Sequence, residues 1–98
     1  MVRPKISVKI VSRRVAEYFS INPDKLCHKT RERKFAYPRQ IAMYILSKDQ
    51  TLTLAQIGKE LGGRDHSTVI HARDNIIGLM DVDHNVRRDV LSIESILN

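Results

Sequence analysis

Apolar residues recur at helical spacing along most of this 98-residue chain, and the polar positions between them mark where helices begin and end. From Ile6 to Phe19 the stripe is Val8, Val11, Val15 and Tyr18 or Phe19, with Lys9, Arg13, Arg14 and Glu17 off it. Asn22, a good N-cap, precedes Pro23, whose fixed φ suits a first helical position, so a short turn holding Leu26 follows. Residues 28–36, HKTRERKFA, lose the period. They carry Lys29, Arg31, Arg33 and Lys34 against Glu32 and read as a basic loop. Pro38 then predicts the start of a helix over roughly 38–48, with Ile41, Met43, Tyr44 and Ile45 inward.

Thr53 and Gln56 have the spacing of a capping box, in which each side chain bonds the other residue's amide. They open a short helix with Leu54, Ile57 and Leu61 on its apolar stripe. Gly58 lies inside that helix, where glycine costs about 1 kcal/mol relative to alanine. Close approach of another backbone would account for it. Gly62 and Gly63 end the helix, because glycine accepts the left-handed conformation of a C-terminus. The next helix begins at Asp65 or His66 and runs to about Met80, with Val69, Ala72, Ile76 and Met80 buried. Asp83 caps a last helix carrying Val86, Val90, Ile93 and Leu97. No repeat, linker or low-complexity tract divides the chain, and strand signals are weak. The chain therefore reads as one all-α domain over 1–98, a compact helical bundle with its core in about 6–97.

Two short helices joined by a glycine-bearing turn form a helix-turn-helix. The second helix of such a pair can lie in the DNA major groove with its first residues at the base edges. Asp65, His66, Ser67 and Thr68 fill that first turn. At about 100° per residue, Ser67, His71 and Asp74 point away from the Val69–Ala72–Ile76 stripe. Their chemistry suits base reading. A carboxylate accepts from cytosine N4, a threonine methyl meets the thymine methyl, and imidazole donates or accepts. Asp65 suits a helix cap equally well, and the two roles are compatible. The basic loop offers a second contact. Arginine enters narrow, A/T-rich minor grooves, where negative potential is enhanced. Arg31 or Arg33 fits that task, and each taken singly fits a non-specific phosphate contact as well. Arg39 and Gln40, at the start of a helix, suit phosphate positioning.

The charge distribution agrees. Net charge is +6; residues 1–48 hold twelve Lys/Arg against three Asp/Glu, a balance of +9, and residues 49–98 hold five against eight, a balance of −3. A polyanion partner fits, with double-stranded DNA ahead of an anionic membrane; a merely solvated basic face is the alternative. No stretch approaches the ~18 apolar residues of a membrane span. Nor does the N-terminal segment hold the uncharged core of a secretory signal. Cys27 is the only cysteine, which fits a reducing compartment, so a cytoplasmic, nucleoid-associated protein is expected.

Enzymatic readings fare worse. His66 and His71 are five apart, about 140° around a helix, and do not converge as the i, i+4 pair of a zinc helix does. Gly58 and Gly63 have the spacing of a phosphate loop, but Arg64-Asp65 follows instead of Lys and Ser/Thr, and Gly58 sits within a helix. No catalytic residue, metal, cofactor or small-molecule substrate is expected.

Two longer segments carry a resemblance. IGKELGGRDHSTVIHA closely resembles the signature of the C-terminal DNA-binding domain of DnaA, the bacterial chromosomal replication initiator, and KTRERKFAYPRQIAMYI resembles that domain's basic loop and following helix. The match in type and spacing runs from about Ile6 through the last helix. It implies a helical bundle of the Trp-repressor type that binds short asymmetric boxes in duplex DNA at replication origins, as a monomer. It further implies that Arg31 enters the minor groove, and that Arg39 and Gln40 make contacts at the loop-helix junction. The same resemblance implies that Leu54 and its neighbours are set against phosphates, and that Asp65, His66, Ser67, Thr68 and His71 read the major groove. Ala55 departs from a family proline, and Asp74 and Asn75 stand where some relatives are basic. Members of the family carry an ATPase module that 98 residues do not contain. An isolated domain of an initiator and a free-standing relative, acting as a regulator or protein-interaction module, both remain open.

Overall fold

A computed structural model describes residues 7–49 and 52–97 of the chain. The expected helix start at Ile6 lies outside them. Five α-helices and one 3-10 turn follow in order, with no strand among the described residues. Helix α1 spans Val8–Phe19; Ser7 caps it by accepting from the Ile10 amide at 3.3 Å. Ser20 closes it in the left-handed region at φ 56°, where its amide and that of Ile21 satisfy the carbonyls of Glu17 and Ala16. The 3-10 turn Pro23–Cys27 opens on Asn22, whose side chain accepts from the Asp24 amide, and buries Leu26.

Helix α2, Arg33–Ser47, begins five residues ahead of Pro38. The Thr30 hydroxyl accepts from the Glu32 amide at 3.2 Å, and the Glu32 carbonyl accepts from the amides of Phe35 and Ala36 at 3.0 and 2.8 Å. The first turn thus closes before the proline, which sits inside the helix and removes only the donor to the Lys34 carbonyl. Residues 33–36 are therefore helix where the sequence pattern indicated loop, and the loop contracts to 28–32. The basic run concealed this turn because its stabilising contacts are not apolar repeats. The Arg33 guanidinium lies 5.0 Å from the Tyr37 ring centroid and the Lys34 ammonium 5.6 Å from that of Phe35, within cation–π range.

Helix α3, Leu54–Glu60, shows both bonds of its capping box, Thr53 accepting from the Gln56 amide at 3.1 Å and Gln56 from the Thr53 amide at 2.8 Å. Helix α4 spans His66–Val82 and α5 His84–Leu97. Asp83 opens α5 by accepting from the Asn85 amide at 2.9 Å. The centre of the molecule is α2, packed against α1 on one side and α4 on the other, with α3 alongside α4. Val11, Val15, Leu26, Ile41, Leu46, Ile57, Leu61, Val69, Ile76 and Ile93 are fully shielded between them. Each such side chain contributes roughly 1.5–3 kcal/mol relative to exposure, and together they fix α4 against α2.

Gly58 supports the close approach that its position in a helix implied. Its carbonyl accepts from the Arg64 amide at 2.8 Å, and a Cβ there would collide with the Arg64 carbonyl oxygen. Gly62 and Gly63 take positive φ of 96° and 69°, as a turn that reverses the chain within a few residues requires. The helix-turn-helix is thus α3, a glycine turn, and α4.

Candidate nucleic-acid interface

Asp65 is the N-cap of α4. One carboxylate oxygen accepts from both the amide and the hydroxyl of Thr68, at 3.0 Å each. Those two bonds hold its carboxyl below the ordinary value, so it is ionised at neutral pH. The cap fixes the first turn and keeps its side chains outward: Asp65, His66, Ser67, Thr68 and His71 are all exposed. The Thr68 hydroxyl donates to Asp65, which leaves its methyl group and its lone pairs facing solvent.

Across from this turn runs an open groove of about 330 Å³ between α2 and α4, lined by Gln40, Met43, Arg64, Thr68, His71 and Asn75 among others. It continues into a second groove of about 200 Å³ lined by Arg31, Arg33, Tyr37, Gln40, Asn75 and Leu79. Ala36, Gln40 and Asn75 belong to both. Arg31 and Arg33 at one end therefore share a surface with Thr68 and His71 at the other. At the junction the Asn75 amide donates to Gln40 Oε1 at 2.6 Å, which leaves the Gln40 NH₂ donors for the groove. Asp74 is exposed and carries an ion pair with Arg73 at 3.1 Å. Leu54 is half-buried at the start of α3 and packs against the core.

Arg39 departs from the expected phosphate contact. It is only 6% exposed, and its guanidinium donates to the carbonyls of Leu26, His28 and Thr30 at 2.7, 2.8 and 3.2 Å. A planar fork of five donors suits three carbonyls presented by one curved segment. Arg39 thus shapes the stretch that leads into Arg31 from below. Its position after Pro38 gave no sign of this, because α2 begins at Arg33 and Arg39 therefore lies within the helix, on its buried face, instead of at its start.

A second polar cluster anchors the other end of the loop. Asp89 on α5 is buried and accepts from the hydroxyls of Tyr18 and Tyr37 at 2.8 Å each, and from Arg88 at 3.2 Å. Burial and the neighbouring carboxylate raise the Tyr37 phenol above its ordinary value, so it remains a donor. Phe19 packs edge-on against the same ring, 5.5 Å between centroids, and Arg33 covers it. No sequence periodicity indicated Asp89, since an acidic residue on an apolar stripe reads as an exposed position. Among the described residues, no group of three or more His, Cys, Asp or Glu side chains is placed to hold a metal ion. Nor is any helix of the described residues long and apolar enough to cross a membrane.

An exposed, capped first turn on the second helix of a helix-turn-helix, with a basic segment at the far end of the same groove, defines a DNA-binding module. The matching family is described as the bacterial DnaA protein helix-turn-helix, over residues 8–76, and the chain belongs to that family. The chromosomal replication initiator protein DnaA of Ehrlichia ruminantium is 44% identical over 85 residues, which are 87% of this chain and 18% of that protein. For DnaA of Thermomicrobium roseum the identity is 38% over 94 residues, 96% of this chain and 20% of the relative. For Lacticaseibacillus casei it is 37% over 93 residues, 95% and 21%. The chain spans about a fifth of the length of these relatives.

Proposed function

We propose that the domain recognises DnaA-box-like sites at a replication origin, as a monomer, by reading two adjacent grooves of one duplex. The first turn of α4 enters the major groove, where His66, Ser67, Thr68 and His71 meet base edges and Asp65 both caps the helix and accepts from a base. Arg31 enters the neighbouring minor groove, with Arg33 close by on the first turn of α2. Gln40 donates to the phosphate backbone between them, and the start of α3 at Leu54 abuts the backbone on the other flank. The observation that carries this reading is the shared groove, with Arg31 and Arg33 at one end and Thr68 and His71 at the other.

A salt titration of duplex binding tests it. Four to six neutralised phosphates give a log–log slope of about −4 to −5, from ~0.9 per phosphate. A flat response would instead support a protein partner for the same surface.

Two substitutions separate the grooves. Arg31→Ala should weaken binding and reduce the preference for the A/T-rich part of the site; intact preference there would remove Arg31 from the minor groove. Thr68→Ala should relax selectivity at a single base pair, an effect of ~1–3 kcal/mol for a good contact. Unchanged discrimination at every position would exclude Thr68 as a reader. Asp65→Ala should relax selectivity too, but it also removes the cap, so its binding is to be compared at equal folded fraction.

A further inference from the structure

Arg64 lies between Gly63 and the cap of α4, and its side chain does not follow the first turn outward. Its Nη1 donates to the Leu61 carbonyl, which ends α3, and its Nη2 donates to the His28 carbonyl at 2.7 Å, 36 residues away in sequence. That same carbonyl accepts from Arg39 at 2.8 Å. Two guanidinium groups converge on one oxygen, and the Arg39 pKa is lowered by burial and by the Arg64 charge beside it. Juxtaposed cations repel, so the arrangement persists only because carbonyl dipoles from both segments face them. The surrounding chain is shaped to it. A Cβ on Gly62 would meet the Arg64 guanidinium and the Cys27 carbonyl, and the Cys27 thiol donates to the Glu60 carbonyl at 3.5 Å. Backbone on the other side is equally close, since the Arg64 amide is bonded to Gly58.

We propose that Arg64 is a positioning residue that couples the two reading elements, holding the base of the Arg31 loop at a fixed distance from the first turn of α4. It acts through the backbone of residue 28, without touching DNA itself. Loop and recognition helix then reach the duplex as one rigid body, and the minor-groove contact is in place before binding. The inference rests on the two-groove reading above for its consequence in DNA binding, though not for the seam itself.

The test is a double-mutant cycle on the duplex that the intact protein selects from a random pool, with affinities compared at equal folded fraction. Arg31→Ala should weaken binding ~10-fold in the intact protein but less than ~2-fold in an Arg64→Ala background, because coupled residues do not add. Arg64→Lys keeps the charge but replaces two nitrogens held apart in one plane with a single one, which does not reproduce the fork that meets Leu61 and His28. It should behave like Arg64→Ala in the cycle and also preserve a variant that folds. Equal Arg31 effects in all three backgrounds, or full rescue by lysine, would overturn the proposal. In parallel, hydrogen exchange of the His28 and Glu32 amides, which are bonded to the Lys25 carbonyl and the Thr30 hydroxyl, is followed without DNA. Arg64→Lys should speed it at least ~5-fold while leaving the α1 and α5 amides unchanged. Should Arg31→Ala have no effect in the intact protein, the two-groove reading fails, and the exchange result alone decides the seam: unchanged loop exchange overturns it.

Discussion

Replacing Arg39 with alanine should destabilise the domain by on the order of 3 kcal/mol, measured by urea or thermal unfolding. Hydrogen bonds to a charged group contribute about 1.5–3 kcal/mol each, and truncation leaves their buried partners unsatisfied. The carbonyls of Leu26 and Thr30 lose this donor, and that of His28 is left with Arg64 alone. The sum is smaller than three separate bonds because the loop can swing toward water once released. Arg39→Lys should recover little, since one ammonium cannot span the three acceptors. If Arg31 reads the minor groove as proposed, binding should fall most for duplexes that carry the A/T-rich segment, because Arg39 shapes the segment that carries Arg31. An equal loss on every duplex, with stability unchanged, would return Arg39 to the surface as a phosphate contact.

Gly58→Ala should be the next largest, a loss of roughly 1–3 kcal/mol, the usual range for overpacking a tight site. Alanine gains about 1 kcal/mol in helix propensity, which offsets part of the strain. The group in the way is the Arg64 backbone carbonyl, which cannot rotate aside like a side chain. To admit a methyl, α3 must move from the turn that leads into Asp65. The folded fraction should therefore bind DNA more weakly as well, with the selectivity proposed for the first turn of α4 the most disturbed. Stability equal to or above that of the unmodified protein would show that the turn is looser than its contacts indicate.

Most of the helices were legible because their caps and stripes are local. Thr53 with Gln56, Asp65 and Asp83 were each visible as start signals, and the glycines at 58, 62 and 63 announced a tight turn and a close approach. The class of site was legible for the same reason, since GGRDHST places polar groups on the first turn of a helix that carries the Val69–Ala72–Ile76 stripe. The start of α2 was not, because its first turn is held by cations over aromatic rings and by the carbonyl of Glu32, neither of which has a period. The direction of Arg39 and Arg64 was not legible either. An arginine in a basic segment reads as a surface charge until the fold presents it with carbonyls, and those that Arg39 and Arg64 share lie on the 26–30 segment, up to 36 residues away in the chain. Asp89 and its two tyrosines, 71 and 52 residues distant, escaped for the same reason.

The central claim is that this one domain reads an asymmetric duplex site from two grooves at once. Selection of the 98-residue protein against a pool of random duplexes tests it most directly. The expected outcome is one short site without two-fold symmetry, an A/T-rich segment beside the base pairs met by α4, resembling the box bound by DnaA relatives. Recovery of a palindrome, or of no enriched sequence at all, would contradict it.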